Sequence, residues 1–417
     1  MRINKKKIAC LALVTALAIP GVIGLAGCEL GHTHDYNSSP FYEVVMEGET
    51  KIARSWTECS CGVEDEHKKI DNAVIVTPTT VQDALDGKVV LRDGNYVVTE
   101  KEATETYVSL NDKIIVFDQG QYNEIIHLRP SKETATIYNN KTGALLEGKI
   151  DNNTQYKYAR NFTNLTFAGT ENAKINHLFY VRNGSMSKTD QFLDEYIDPI
   201  KNSGEYGSYY SSLSFKSIKF SRLNFNGENG RIVINYGTSL GETIDEITVE
   251  SCNFITDTPD SSSNYSQYNA SSYLVAWKNN IFGTINYKNN KVDGHFQGVY
   301  TQNADEVNVV GNDISNTTHN AIAVKSGSDS FTGTIKILNN KISNTSDRAI
   351  RFGKCDNTKI YIENNTITNG VDSDNELIKS EAITDTIYIL KNNTHNGILL
   401  KDVEDSKTPL LVKIIAE

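Results

Sequence analysis

Five segments of this chain carry a paired or nearly paired asparagine between two apolar stretches. They are INYKNNKVDG (285–294), VNVVGNDISN (307–316), IKILNNKISN (335–344), IYIENNTITN (360–369) and IYILKNNTHN (387–396). The second position of each pair is Asn290, Asn312, Asn340, Asn365 and Asn393, so the steps are 22, 28, 25 and 28 residues. Asparagine is depleted in strands and enriched in turns. A short strand follows each of the first four segments: GVYTQ (298–302), AIAVKSG (321–327), AIRFGK (349–354) and ELIKSE (376–381). A period of 20–30 residues with two or three strands per period is the signature of a parallel β-solenoid. Its coils stack at strand spacing, about 4.8 Å. Equivalent positions then lie over one another, and an Asn repeated at one bend can bond to the Asn above and below. That pairing removes the penalty of burying an amide. Asn also tolerates the left-handed conformation that a tight bend needs.

Upstream the pattern weakens. ITVESCNF (247–254) puts Cys252 in the Asn column, IKFSRLNF (218–225) puts Leu223 there, and NLTFAG (164–169) reads as an earlier coil. Cys252 is therefore expected in the core. Cys355 is expected on a turn about three coils away, roughly 15 Å at strand spacing, too far for a disulfide with Cys252. The register of residues 97–160 is not legible.

Before the repeats stands TPTTVQDALDGKVVLRDGNYVV (77–98), in which a short helix would run into Gly87, Val89, Val90, Leu91, Asp93, Gly94 and Tyr96. This resembles the first coil of pectin-lyase-like proteins. The resemblance covers about residues 71–400. It implies an all-β fold, a single-stranded right-handed parallel β-helix of about ten coils, in a domain spanning 71–417. It also implies a groove along one face where polysaccharide binds. The fold alone names no activity, since it hosts lyases, hydrolases, epimerases, adhesins and phage spikes.

The N-terminus reads as a targeting segment: a basic MRINKKK, then the apolar IACLALVTALAIPGVIG, then LAGC ending at Cys28. LAGC resembles the bacterial lipobox, which implies cleavage after residue 27 and lipidation of Cys28. The expectation is export and a lipid anchor on the outer face of the cytoplasmic membrane. The net charge of −11 becomes −15 once residues 1–27 are gone, because they carry four basic residues and no acid. With no basic stripe, nucleic acid is not the expected partner. Local Lys and Arg could still bind an acidic polysaccharide.

Residues 28–70 form a separate segment containing His32, His34, Cys59, Cys61 and His67. It resembles the short His/Cys modules that follow the lipobox in Gram-positive surface lipoproteins. Two readings stay open. The five side chains could hold a tetrahedral zinc, although C-x-C is tighter than the usual finger spacing. Alternatively the segment is a solvated stalk with Cys59 and Cys61 free or bonded to each other.

Two polar, Tyr-rich insertions, 186–212 and 257–272, interrupt the coils and suit either sugar recognition or a generic surface. Between the coils, Val299, Ile322, Ile350 and Ile378 read as equivalent inward positions. The outward residues after them are Tyr300, Ala323, Arg351 and Lys379. Near the third place beyond come Gln302, Lys325, Gly353 and Glu381. Before them come Phe296, His319, Asp347 and Asn375, and then Gln297, Asn320, Arg348 and Glu376. A polysaccharide lyase would use Lys325 or Arg351 as base. No cluster of three acids falls on neighbouring coils, so calcium is not supported. A retaining glycoside hydrolase needs two carboxyls about 5 Å apart. Asp347 and Glu376 lie one coil apart but offset by one position. The paired-Asp, Gly-His-Gly and Arg-x-Lys motifs of polygalacturonases are absent. His319, Arg348, Tyr300 and Lys379 are the candidate substrate contacts. The same charges read equally as a solvated face of Asp347–Arg348 and Arg351–Glu376 pairs, each worth about 0–1 kcal/mol. An enzyme acting on an acidic glycan, a glycan-binding module and a structural adhesin all remain open.

Overall fold

The computed structural model describes residues 35–36, 38–99, 107–128, 136–139, 141–146, 156–185, 209–237, 241–257, 269–325, 330–371, 373–405 and 411–413. The chain separates into two compact units: Met1–Ser38 with Thr57–Glu66, and Ser39–Trp56 with His67–Glu417. In the first, Ser38 Oγ accepts from the Glu58 amide, Glu58 bridges Glu64, and Cys59 is disulfide-bonded to Cys61.

The second unit is an all-β solenoid of parallel strands. One rung shows the pattern. A seven-residue strand (Phe282–Lys288) bends at Asn289–Asn290 into a three-residue strand (Lys291–Asp293). The chain then enters Gln297–Gln302, bends at Asn303 and starts the next rung at Ala304–Val310. Long strands pair in parallel, so Ile218, Ile247, Ile285, Val307, Ile335, Ile360 and Tyr388 form one file. The three-residue strands stack Tyr122, Ile175, Phe225, Phe254, Val292, Ile314, Ile342 and Ile367. Every member of both files is buried. The period-2 alternation of strands puts these residues inside, and β-branched side chains suit the pleated wall.

The two asparagines of each pair have different jobs. The first sits exposed at positive φ: Asn289 (54°), Asn339 (57°), Asn364 (57°) and Asn392 (55°). The second turns inward. Asn290 donates through Nδ2 to Asn312 Oδ1 (3.1 Å), Asn312 to Asn340 (2.9 Å), Asn340 to Asn365 (3.0 Å) and Asn365 to Asn393 (2.9 Å). Each Oδ1 of Asn312, Asn340, Asn365 and Asn393 also accepts the backbone N–H of the Asn before it. Each Nδ2 also donates to a backbone carbonyl, as Asn340 does to Val309 O (2.9 Å). The amides are thus fully satisfied, which is why they tolerate burial. Cys252 and Leu223 occupy the same column upstream and are buried too. Cys252 Sγ donates to Glu250 O and Phe220 O, and burial pushes its thiol up to about 12. Cys355 lies within the strand Ile350–Glu363, not on a turn, and it is buried and free.

The ends are capped. At the start, the helix Val81–Leu85 buries Val81, Ala84 and Leu85, and the hairpin Val89–Arg92/Asn95–Val98 turns at Asp93 and Gly94, both at positive φ. At the finish, Val403–Asp405 and Leu411–Lys413 pair antiparallel with Ile387–Lys391 and Glu376–Thr384. Capped ends remove open sheet edges. Within 97–160, Lys113–Phe117 pairs in parallel with Ala73–Val76 and with 165–169, giving that region a solenoid register.

Part of the expected His/Cys segment belongs to this unit. Phe41–Glu47, Thr50–Trp56 and Lys68–Lys69 form a three-stranded antiparallel sheet. The Arg222 guanidinium lies 3.2 Å over the Phe41 ring and donates to Pro40 O and Ser39 O. Ala53 packs with Ala73 and Val116. The insertions are also shorter than the sequence suggests, since Tyr209–Ser221 and Ala270–Ala276 are strands. Ser212 is buried there because its hydroxyl donates to the buried Glu242 carboxylate. Residues 186–208 and 258–268 lie outside the described residues.

Candidate functional site

The register places the expected files side by side. Val299, Ile322, Ile350 and Ile378 align and are fully buried. Tyr300, Ala323, Arg351 and Lys379 align beside them. The charged residues converge into one chain of contacts over three rungs. His319 Nδ1 lies 2.8 Å from Asp347 Oδ2, and Arg348 Nη1 lies 3.1 Å from Asp347 Oδ1. Arg348 also donates to Glu376 Oε2 from Nε (3.0 Å) and Nη2 (2.6 Å). Lys379 Nζ reaches the same oxygen at 2.9 Å. The Asp347 and Arg348 side chains are only 15% and 13% exposed, and Glu376 6%, so this is not the solvated face the charges alone suggested. Beside it, Arg351 Nη2 lies 3.0 Å and Lys325 Nζ 3.6 Å from Glu381 Oε1. The expected Arg351–Glu376 pair is not formed. Glu376 lies in the file of Arg348, whose fork it accepts, and Arg351 turns to Glu381.

These contacts fix the protonation of the acids. The Lys379 hydrogen bond, opposed by burial and helped by Arg348, holds the Glu376 carboxyl at about 2. Burial pushes Asp347 up, but the His319 and Arg348 contacts together outweigh it and leave it below the usual carboxylate range. Both are thus anions at neutral pH with Arg348 between them. The general acid of a glycosidase needs the opposite, a raised pKa. Lys325 is lowered, first by burial and then by the Arg351 charge.

Other expected positions fall elsewhere. Tyr300 is buried, stacked on Tyr273 with centroids 5.3 Å apart and 10° between planes, in a cluster with Leu178, Tyr180 and Val233. It therefore presents no open ring to a substrate. Asn320 and Gln297, one and two rungs before Arg348 in the file that continues to Glu376, are buried rather than outward. Gln297 Oε1 and both polar atoms of the Asn320 amide find no hydrogen-bond partner among the described residues. His295 is likewise buried, and burial pushes its imidazole down to about 3, so it is neutral.

In the His/Cys segment, Cys59 and Cys61 are joined to each other, which leaves no thiolate for a metal in this state. His67 pairs with Glu43 (2.8 Å) and stacks on Trp56 at 4.2 Å. The local reason is the hairpin, which carries both partners on the strands beside His67. His32, His34 and Cys28 lie outside the described residues. No group of three or more His, Cys, Asp or Glu suited to a metal ion occurs among the described residues. Among them, too, no helix is long and apolar enough to cross a membrane.

Comparison of the chain with protein families, with curated proteins and with solved structures finds no match.

Proposed function

We propose that this chain is an exported surface protein, lipid-anchored through Cys28, that engages an extracellular anionic polysaccharide. In this reading the solenoid is a right-handed parallel β-helix of the pectin-lyase-like kind. The ligand lies along the face bearing His319, Lys325, Arg348, Arg351 and Lys379. The observation that carries the reading is the chain of ion pairs over three rungs. It holds four basic side chains against three carboxylates in a protein whose net charge is −11. A local excess of cation on rigid strands, with Arg forks fixed by neighbours, suits repeated carboxylates on a polymer.

The test is the double variant R351E/K379E against a panel of polyuronates and neutral glycans. Binding to a polyuronate is expected to fall at least tenfold, and that of the parent chain to weaken as salt rises. No binding by the parent chain, or none lost in the variant, overturns the proposal.

A lyase is the second reading, favoured by one observation: the lowered Lys325 ammonium beside Arg351. Lys325, as its neutral amine, would remove the proton next to the uronate carboxylate while Arg351 neutralises that carboxylate; the double bond forms as the glycosidic C–O bond at the next carbon breaks, and the departing oxygen takes a proton from water. Appearance of unsaturated uronate absorbance, lost in Lys325→Ala with binding retained, is the expected result. A flat trace sinks this reading. A hydrolase is not supported, because the Lys379 and Arg348 contacts on Glu376 and the His319 and Arg348 contacts on Asp347 keep both acids ionised.

A further inference from the structure

The hairpin Phe41–Glu47/Thr50–Trp56 covers the outer face of the long strands over the first rungs only. One outward file beneath it runs Ile75, Val116, Ala168, Ser221, Glu250 and Lys288. Ala53 packs on Ala73 and Val116, and Lys51 Nζ reaches Asp118 at 2.6 Å, so Thr50–Trp56 lies over the first two rungs. Tyr42 is hydrogen-bonded to Ser221, so Phe41–Glu47 lies nearer the later ones. The file is apolar or small as far as Ser221 and charged at Glu250 and Lys288. The cover ends where the floor beneath it changes character.

At that boundary a sheet edge is left open. The turn at Gly48 and Glu49 makes Glu47 and Thr50 a hydrogen-bonded pair. Bonded and non-bonded pairs alternate along an antiparallel ladder. Phe41, Glu43, Val45 and Glu47 therefore bond to Thr50–Trp56, and Tyr42, Val44 and Met46 turn their backbone N–H and C=O groups to the other side. Phe41–Glu47 is the end strand of its sheet, and among the described residues no further backbone hydrogen bond reaches it. Protected edges carry Lys, Pro or a bulge. The seven residues FYEVVME carry none of these, and Met46 is 59% exposed. Both acids are drawn to neighbours within the sheet, Glu43 to His67 (2.8 Å) and Glu47 to Arg54 (3.5 Å).

We propose that this edge accepts one extended strand of another polypeptide, with threonine or serine facing the solenoid and β-branched residues facing away. The added strand lies about 4.8 Å from Phe41–Glu47, over the rung of Thr248 and Glu250. That floor is polar and already bonded within itself. Thr248 Oγ1 donates to Glu246 Oε1 (2.8 Å), Asn286 Nδ2 to the same oxygen (3.0 Å), and Lys219 Nζ meets Glu250 Oε1 at 2.6 Å. Short hydroxyl side chains add to such a layer, whereas large apolar ones would desolvate it. On the far side the strand lies beside Phe41 and Val45, which favour β-branched neighbours across the ladder. A second copy of the chain does not fit. Pairing the edge with itself about a twofold axis puts the second solenoid on the same side of the joined sheet, where the rungs from Glu250 onward already lie.

The test is amide hydrogen exchange of the full chain with and without a short peptide of alternating threonine and valine, ended by lysines. The Tyr42, Val44 and Met46 amides are expected to exchange readily in the free chain and at least tenfold more slowly with the peptide. The Glu43 and Val45 amides, already bonded within the hairpin, should change little. Only alternate amides of an added strand face the edge. Of two peptides, one N-methylated at its valines and one at its threonines, one should therefore fail and the other bind. Met46→Pro removes an edge donor and leaves the hairpin ladder intact, so it should weaken peptide binding at least tenfold. Unchanged Glu43 and Val45 protection reports that the variant has kept its hairpin, and the N-methylated pair decides the matter if it has not. No slowing by the peptide, or equal binding of both N-methylated forms, overturns the proposal. Edge amides already protected in the free chain would overturn it too, by showing that the chain covers its own edge. So would a concentration-dependent dimer abolished by Met46→Pro, which would make a second copy the occupant.

Discussion

At the bend between the long and the short strand, two upstream rungs bury Leu223 and Cys252, whereas five downstream rungs bury Asn290, Asn312, Asn340, Asn365 and Asn393. The interior changes with the column. Upstream it is aromatic: Phe167, Phe179 and Phe220 meet at 4.7–5.3 Å, and Phe225 stacks on Phe254 at 4.8 Å and 3°. Downstream the corresponding positions are Val292, Ile314, Ile342 and Ile367. Large rings fill an interior without needing polar order, and they gain by stacking. Smaller aliphatic rungs carry a row of hydrogen bonds that specifies register. The difference teaches that one stacking geometry accepts either an apolar or an amide file, provided the file is continuous. A single odd member is what costs.

Four substitutions would break or sharpen that comparison. The largest effect is expected from Asn340→Leu. It strips the acceptor from the Asn312 Nδ2 and backbone N–H and the donor from Val309 O. Unsatisfied buried groups cost about 1–3 kcal/mol each, so a loss of roughly 4 kcal/mol should appear in chemical unfolding. A loss below about 1 kcal/mol would show that the ladder contributes nothing beyond packing.

Next comes Glu376→Gln, which leaves Arg348 and Lys379 without their shared anion and should cost about 2–3 kcal/mol. It also has a pH signature. Glu376 titrates near 2 when folded and about 4.3 when unfolded, so the unfolded chain binds more protons between those values. Stability from this carboxylate is therefore fully present above about pH 5 and lost as pH falls toward 2. The variant should show a shallower loss over that window. Equal pH profiles would remove Glu376 from the account.

The third is Asn339→Val, at an exposed residue with φ 57°. A β-branched side chain there should cost about 1–2 kcal/mol, and Asn339→Gly close to nothing. Equal effects of the two would mean that the bend does not hold its left-handed conformation.

The smallest effect, and the sharpest, belongs to Cys252→Asn. Its amide would meet Asn290 Oδ1, which already accepts the Cys252 N–H, and Phe220 O, which now faces the thiol. Extension of the ladder by one rung should leave stability within about 1 kcal/mol of the parent. A loss of 3 kcal/mol or more would mean that the aromatic rungs exclude an amide column.

Much of this architecture was legible because repetition reports on neighbours. The alignment of Val299, Ile322, Ile350 and Ile378, and the ladder from Asn290 to Asn393, follow from matching short strings one period apart. The candidate site was legible only as a set of files. That His319 meets Asp347 follows from their shared column, but the choice of Glu381 over Glu376 by Arg351 does not. Long side chains reach several positions on the next rung, and register does not select among them. Tyr300 shows a second limit, since an outward residue in a repeat can still be buried in a cluster, here by its stack on Tyr273 beside Tyr180 and Val233.

By itself, the sequence determined the period, the strand-and-bend order and the buried amide column, because these depend on contacts that recur at every rung. The tertiary structure alone chose between free and bonded Cys59 and Cys61 and among the ion-pair partners, and it alone revealed the hairpin held by Arg222 and the hydrogen bond from Arg160 to Leu85 O. The last two join segments with no common spacing, residues 39–41 with 222 and 85 with 160, and only the folded chain brings them within reach.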